Sequence, residues 1–284
     1  MKTFQVNWKS SEGLNIFGRG WELERMPRAV VCLVHGLGEH IGRYEHVGAV
    51  FTAAGYALFG FDQRGHGSSE GPRGHTPSYE SLMDDIGNLL TRARSRYPGA
   101  PCFLYGHSLG GNEVINYVMR RKPDILGVIA TGPWLRLAFQ PSAWQVALGR
   151  MMNRIAPGFT QASKLDAAAL SRDQKVVEGY VNDPLVHDRI SARLFVEVYN
   201  AGEWALARAA EFSVPLLLMH GKADRITSAA ASRELAKRNG SNTTLRILED
   251  LYHEIHNEPE KTEVFKTMIT WMDAALGRAT AAVA

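Results

Sequence analysis

Cysteine is scarce in this sequence: Cys32 and Cys102 are the only two, and each lies within an apolar run. A disulfide framework of the kind that stabilises small secreted domains is therefore excluded, and we expect two buried thiols in a reducing compartment. Long apolar runs are also missing, because the longest, residues 50–61, falls well short of the ~20 residues that a membrane-spanning helix needs. The first residues lack the continuous apolar segment of a signal peptide. We therefore expect a cytoplasmic protein without a transmembrane helix.

Neither sign of charge dominates. Lys and Arg number 32 and Asp and Glu number 29, which leaves a net charge of +3. A nucleic-acid partner usually requires a clustered basic surface, so none is predicted. The chain also contains no G-x-G-x-x-G, no G-x-x-x-x-G-K-[S/T] and no H-E-x-x-H segment. We therefore expect no nucleotide, no other cofactor and no metal ion.

Short apolar runs alternate with longer helical patterns up to residue 130, and this alternation returns after residue 210. It is typical of an α/β fold in which helices cover both faces of a mostly parallel sheet. Residues 1–132 and 211–284 are therefore predicted to form one core. The predicted elements are a hairpin at 4–8 and 14–18, strands at 29–34, 57–61, 103–105 and 126–130, a helix at 77–97 capped by Thr76, strands at 214–220 and 244–248, and a last helix at 260–276.

A different pattern occupies residues 133–210, where strand signals stop and helical ones dominate. We interpret this segment as a helical insertion that covers one edge of the core, and call it the cap segment.

The segment GHSLG, residues 106–110, follows an apolar strand and precedes a helical pattern. This is the G-x-S-x-G turn that presents a nucleophilic serine, here Ser108, at a sharp change from strand to helix. The two glycines are needed because side chains at their positions would collide in so sharp a turn. The helix start directs the N–H of Leu109 toward a carbonyl oxygen beside the serine, and the loop after strand 29–34 offers the N–H of Leu37 as a second donor.

A serine nucleophile needs a histidine base that a carboxylate orients. With this type of turn, the chain order is serine, acid, histidine. The strand at 214–220 leads to Asp224, and the last strand leads to His253. We predict this pair, because His253 lies nearer the strand end than the next histidine. The alternatives are His256 as the base, and Glu249 or Asp250 as the acid.

Motifs spread over nearly the whole chain carry a family resemblance. They are HGLGEHIGRYEH (35–46), FDQRGHGSSEG (61–71), GHSLGG (106–111), YVNDPL (180–185), HGKADRIT (220–227) and YHEIHNE (252–258). Together they resemble the monoglyceride lipase and lysophospholipase branch of the serine α/β-hydrolases. The resemblance implies an α/β-hydrolase fold with a helical cap, and it assigns the catalytic roles to Ser108, Asp224 and His253.

The resemblance also implies that Glu39, Arg43, His256 and Tyr180 line the polar end of the site, where glycerol leaves. Leu37 departs from the family pattern, since some members carry a smaller residue there, and it would make the pocket tighter. The expected function is hydrolysis of monoacylglycerols, a class of lipid ester. Alternatives with the same residues are a lysophospholipase, a short-chain carboxylesterase and an acyltransferase. A lipid-binding module without activity is disfavoured, because such a protein need not retain all three catalytic residues. The oligomeric state is left open.

One helix of the cap segment is predicted at residues 142–155, where five apolar side chains recur at helical spacing. No acidic residue occurs between Ile125 and Leu165, although basic ones do. The apolar face either covers the acyl pocket or also contacts anionic lipid surfaces, which would place the protein at the membrane periphery. The apolar residues are Trp144, Leu148, Met151, Met152 and Ile155, and the basic ones are Arg136, Arg150, Arg154 and Lys164.

Overall fold

The computed structural model describes residues 1–139 and 141–283. In this part of the chain, eight strands form the main sheet in the order β1-β2-β4-β3-β5-β6-β9-β10. The pairs β1-β2 and β2-β4 are antiparallel and all other pairs are parallel, so the predicted mostly parallel sheet is confirmed. The strands are β1 (Lys2–Lys9), β2 (Asn15–Glu22), β3 (Val30–Val34), β4 (Ala57–Phe61), β5 (Cys102–His107), β6 (Gly127–Thr131), β9 (Leu216–Gly221) and β10 (Thr243–Leu248).

Helices cover both faces of this sheet. On β3, Val30, Cys32 and Val34 pack into one apolar cluster and Val31 and Leu33 into the other. Burial on both faces explains why the central strands are apolar at every position. The helices are α1 (Glu45–Ala53), α2 (Tyr79–Arg96), α3 (Leu109–Arg121), α4 (Ala143–Ile155), α5 (Gln174–Val181), α6 (Ala192–Ala207), α7 (Ala229–Asn239) and α8 (Lys261–Val283).

Three predictions from the sequence need correction. Helix α2 is capped by Ser78, whose Oγ accepts the N–H of Ser81 at 3.1 Å, whereas Thr76 donates to the carbonyl oxygen of Ser78. Helix α8 continues beyond residue 276 to Val283. The cap segment also contains strands, because β7 (Thr160–Ala162) pairs antiparallel with β8 (Arg189–Ser191).

Both cysteines are free and buried, as predicted. Within the described residues, none of the helices is both long and apolar enough to cross a bilayer. The parallel strands β3, β5, β6 and β9 lie side by side, so the loops after them meet at one edge of the sheet. Side chains that follow different strands can therefore converge there.

Candidate active site

Ser108 lies between the end of β5 and the start of α3, with φ 55° and ψ −113°. A non-glycine residue adopts this conformation only at an energetic cost, and such strain is concentrated at functional sites. The flanking glycines have no room for a side chain. A Cβ on Gly106 would overlap the carbonyl oxygen of Gly110, and one on Gly110 would overlap that of Val34. The structure therefore has the sharp strand-to-helix turn that the sequence predicted.

The structure brings Ser108, His253 and Asp224 together. His253 Nε2 lies 2.9 Å from Ser108 Oγ, and His253 Nδ1 lies 2.7 Å from Asp224 Oδ2. All three residues are buried or nearly so. Both distances are within hydrogen-bond reach, so the imidazole can accept the hydroxyl proton while the carboxylate fixes its tautomer.

The Asp224 carboxylate is fixed by several donors. Its Oδ1 accepts the backbone N–H groups of Ile226 and Thr227 at 2.7 and 3.0 Å, and its Oδ2 accepts the hydroxyl of Thr227 at 2.7 Å. His220 Nε2 lies 3.0 Å from the same Oδ2. Neither Thr227 nor His220 was predicted from the sequence as a partner of Asp224. The sequence did contain a signal for Thr227, which lies three residues after Asp224. Asp side chains often accept hydrogen bonds from the turn that follows them.

The electrostatics of the site favour a charged pair of His253 and Asp224. Burial alone would raise the pKa of Asp224, but the facing histidines hold it well below its usual range. Burial alone would lower the pKa of His253, but the Asp224 carboxylate raises it above its usual value. An imidazolium at His253 would therefore be stabilised.

The alternative acids and base lie elsewhere. Glu249 is exposed and pairs with Lys222 at 2.7 Å, and Asp250 is exposed on the same loop. The buried ring of His256 stacks on Tyr44 at a centroid distance of 5.0 Å. Within the described chain, neither ring nitrogen of His256 has a hydrogen-bond partner, and burial lowers its pKa to about 3. His256 is therefore neutral and separate from the Ser108 hydroxyl.

The two predicted N–H donors belong to segments next to Ser108. Leu109 is the first residue of α3, where backbone N–H groups have no acceptor within the helix. Gly36, just before Leu37, approaches so closely that a Cβ on it would lie 3.2 Å from Ser108 Cβ. Both segments are thus adjacent to the hydroxyl, where an oxyanion would form.

A small cavity borders Ser108 and His253, and its polar wall is formed by Glu39, Tyr180 and Glu254. The cap segment contributes Tyr180 and two apolar side chains. Arg43 does not line the cavity but lies behind this wall, bound to both carboxylates, and His256 also lies outside the lining. The full lining is Gly36, Leu37, Glu39, His107, Ser108, Leu165, Leu170, Tyr180, His253 and Glu254.

Glu254 was missed by the sequence analysis, although it directly follows His253. The signal was its charge, because an acidic residue beside the predicted base must find a partner if it is buried. The described residues contain no group of three or more His, Cys, Asp and Glu side chains arranged to hold a metal ion.

Comparisons with known proteins identify the family and the fold. The profile of the family described as "Serine aminopeptidase, S33" matches residues 25–260. Monoacylglycerol lipase of Mycolicibacterium smegmatis is 36% identical over 262 residues, which is 92% of this chain and 93% of that protein. The crystal structure of Paleococcus ferrophilus monoacylglycerol lipase has a TM-score of 0.82 and 36% identity, covering 97% of this chain and 100% of that one. An uncharacterized abhydrolase domain-containing protein of Dictyostelium discoideum is 37% identical over 89% of this chain, which spans only 27% of that protein.

Proposed function

Because the chain belongs to the hydrolase family described as Serine aminopeptidase, S33, we propose that it cleaves monoacylglycerols to a free fatty acid and glycerol. It is a carboxylic ester hydrolase with an α/β-hydrolase fold. The observation that carries the proposal is the pair of contacts at His253, 2.9 Å from the Ser108 hydroxyl and 2.7 Å from the Asp224 carboxylate. The two lipases that are each 36% identical support the choice of substrate.

In the first step, Ser108 Oγ attacks the ester carbonyl carbon while His253 Nε2 takes the hydroxyl proton. The negative charge that develops on the carbonyl oxygen is held by the N–H groups of Leu37 and Leu109. Asp224 keeps the proton-bearing Nδ1 of His253 directed toward itself and stabilises the imidazolium. No cofactor is needed, because the acyl group is carried on the serine oxygen.

The tetrahedral intermediate then collapses, and His253 gives its proton to the leaving glycerol oxygen. Water next attacks the acyl-enzyme with His253 as the base, and the fatty acid leaves. The leaving alcohol must contact His253, so it lies against the polar wall of the cavity. There Glu39 and Tyr180 can bind the glycerol hydroxyl groups, while Arg43 and His256 support the wall from behind.

We also infer that residues 133–210 act as a cap, because Leu165, Leu170 and Tyr180 from this segment close the cavity over Ser108. None of the α4 residues that the structure describes lines the cavity. Trp144 and Ile155 are 67% and 72% exposed. We therefore disfavour the interpretation in which this face only covers the acyl pocket. We propose that the apolar face of α4 contacts the anionic lipid surface from which substrate enters.

The experiment is a hydrolysis assay with Ser108→Ala and, as a matched control, Ser95→Ala on the exposed side of α2. Substrates are monoacylglycerols of graded chain length, lysophosphatidylcholine, short p-nitrophenyl esters and a triacylglycerol. We expect monoacylglycerols to be cleaved best, and Ser108→Ala to lower kcat by about 10⁴-fold or more. A fluorophosphonate probe should label the wild type and Ser95→Ala but not Ser108→Ala.

Near wild-type activity in Ser108→Ala would refute the assigned nucleophile. A preference for lysophosphatidylcholine or short esters would replace the proposed substrate by one of its alternatives. A preference for triacylglycerol would contradict the inference that the site takes single-chain substrates.

A further inference from the structure

Behind the polar wall of the cavity, one arginine lies between two carboxylates. Arg43 Nη1 donates to Glu39 at 2.8 Å and to Glu254 at 2.6 Å, and Arg43 Nη2 donates to Glu254 at 2.8 Å. The three side chains are 10%, 3% and 2% exposed, respectively. Both carboxylates line the cavity, whereas the arginine does not. A ligand in the cavity therefore meets the acidic members of the cluster and not the basic one.

The remaining contacts hold this arrangement in place. Glu39 Oε1 accepts the N–H of Gly36 at 2.6 Å and the hydroxyl of Tyr44 at 2.8 Å. Glu254 Oε2 accepts the side-chain amide of Asn257 at 2.7 Å. The guanidinium of Arg43 lies 4.8 Å from the ring centroid of Tyr180, so an aromatic face covers it as well. Arg43 is thus occupied on several sides and is not free to receive a ligand.

The cluster has no uncompensated positive charge. Burial alone would raise the pKa of Glu254, but the charge of Arg43 holds it well below its usual range, so this carboxylate stays ionised. Burial raises the pKa of Glu39, which is therefore the first of the two to take up a proton. With one guanidinium, the cluster is anionic when both carboxyls are ionised and neutral when Glu39 is protonated.

The alcohol part of the substrate lies next to this wall, because the leaving oxygen must receive a proton from His253. We propose that Glu254, together with Glu39, is a specificity-determining residue that restricts the leaving group to neutral alcohols and excludes those that carry a phosphate. This inference rests on the proposed function. Glycerol hydroxyls can donate hydrogen bonds to carboxylates, whereas a phosphate needs donors or a free guanidinium. A phosphate here would be desolvated beside ionised oxygens.

The test compares two esters with the same acyl chain, 1-lauroylglycerol and 1-lauroylglycerol 3-phosphate, each below its aggregation concentration. Laurate release gives kcat/KM for the wild type and for Glu254→Gln, which keeps the side-chain size and removes the charge. We expect the wild type to prefer the neutral ester by about 100-fold, and Glu254→Gln to reduce that preference about 10-fold or more. The reduction should come mainly from a lower KM for the phosphate ester, because the phosphate no longer faces the negative charge of Glu254.

Two controls separate specificity from damage to the site. Glu249→Gln removes a carboxylate from the same loop, but Glu249 is exposed and pairs with Lys222. This variant should therefore prefer the neutral ester as strongly as the wild type does. p-Nitrophenyl butyrate has no glycerol group, so the rate at which Glu254→Gln cleaves it, relative to the wild type, measures any loss that does not depend on the leaving alcohol.

Equal cleavage of both lauroyl esters by the wild type would overturn the inference, and so would an unchanged preference in an active Glu254→Gln variant. If Glu254→Gln does not fold, the wild-type preference alone decides. If the wild type cleaves p-nitrophenyl butyrate but neither lauroyl ester, the proposed function itself fails.

Discussion

Helices α3 and α4 have the same length, 13 residues, and both carry an apolar stripe, yet the protein uses them in opposite ways. Every residue of α3 from Leu109 to Val118 is buried. None of the α4 side chains that the structure describes is buried. An amphipathic pattern therefore predicts a helix but not the side that faces the core. Here the buried helix supports the chemistry, and the exposed one is available for contact with other surfaces.

The difference arises from what packs around each helix. Helix α3 lies between the sheet and α6, and its buried amides of Asn112 and Asn116 donate to the carbonyl oxygens of Val198 and Ala201 on α6. Helix α4 packs on α6, where Asn153 accepts a hydrogen bond from Arg193. Changes on the α3 side should thus alter the chemistry, whereas changes on α4 should leave the chemistry unaffected.

The largest effect should come from Asp224→Asn in the buried site. Asn cannot stabilise the imidazolium and favours the wrong tautomer of His253, so kcat should fall by about 10⁴-fold with the fold intact. Steady-state hydrolysis of a p-nitrophenyl ester measures the loss. Asp250→Asn, the same change at an exposed alternative acid, should stay within a few-fold of wild type. If Asp250→Asn lost activity and Asp224→Asn kept it, the acid would have been misassigned.

A pair of glycine substitutions tests the packing of the two helices directly. A Cβ on Gly110 of α3 would overlap backbone oxygens of Val34 and His35, so Gly110→Ala should lower the free energy of unfolding by about 3 kcal/mol and impair hydrolysis. A Cβ on Gly149 of α4 would meet its nearest atom, in the ring of Phe195, at 3.7 Å. Gly149→Ala should therefore raise the free energy of unfolding by about 0.5–1 kcal/mol. Urea titration measures both, and equal effects would contradict the comparison.

The pH dependence of kcat/KM should reflect His253, which must be neutral to accept the serine proton. Burial alone would lower its pKa, but the charge of Asp224 and, more weakly, that of Glu254 raise it. Activity should therefore be full above this pKa and fall about tenfold per pH unit below it, with a midpoint above the usual value of about 6.5. Glu254→Gln should move the acidic limb to lower pH, while Glu249→Gln should not. A midpoint well below 6 in the wild type would contradict the charged pair.

The sequence predicted the parts of the site that depend on local sterics and chain order. Ser108 was identified by the glycines that its turn requires, and Asp224 and His253 by the strands that precede them. Glu254 was not identified, because its buried position depends on the pairing with Arg43, which is distant in sequence. Strands β7 and β8 have three residues each, too few for an alternating pattern to be visible. The exposure of α4 depends on α6, and no pattern within residues 142–155 contains that information.

The smallest effect, and the one that completes the comparison, concerns the outer face of α4. Leu148 is 45% exposed, so Leu148→Ser should leave the fold and the cleavage of p-nitrophenyl butyrate unchanged. It should weaken binding to vesicles that contain phosphatidylglycerol about fivefold, because less apolar area enters the lipid interface. Met26→Ser, at a residue 60% exposed outside the cap segment, is the matched control and should bind as the wild type does. Co-sedimentation measures the bound fraction. The binding could be equal on neutral vesicles, absent on both kinds of vesicle, or unaffected by Leu148→Ser. Any of these results would mean that the exposed apolar face of α4 does not dock on anionic lipid.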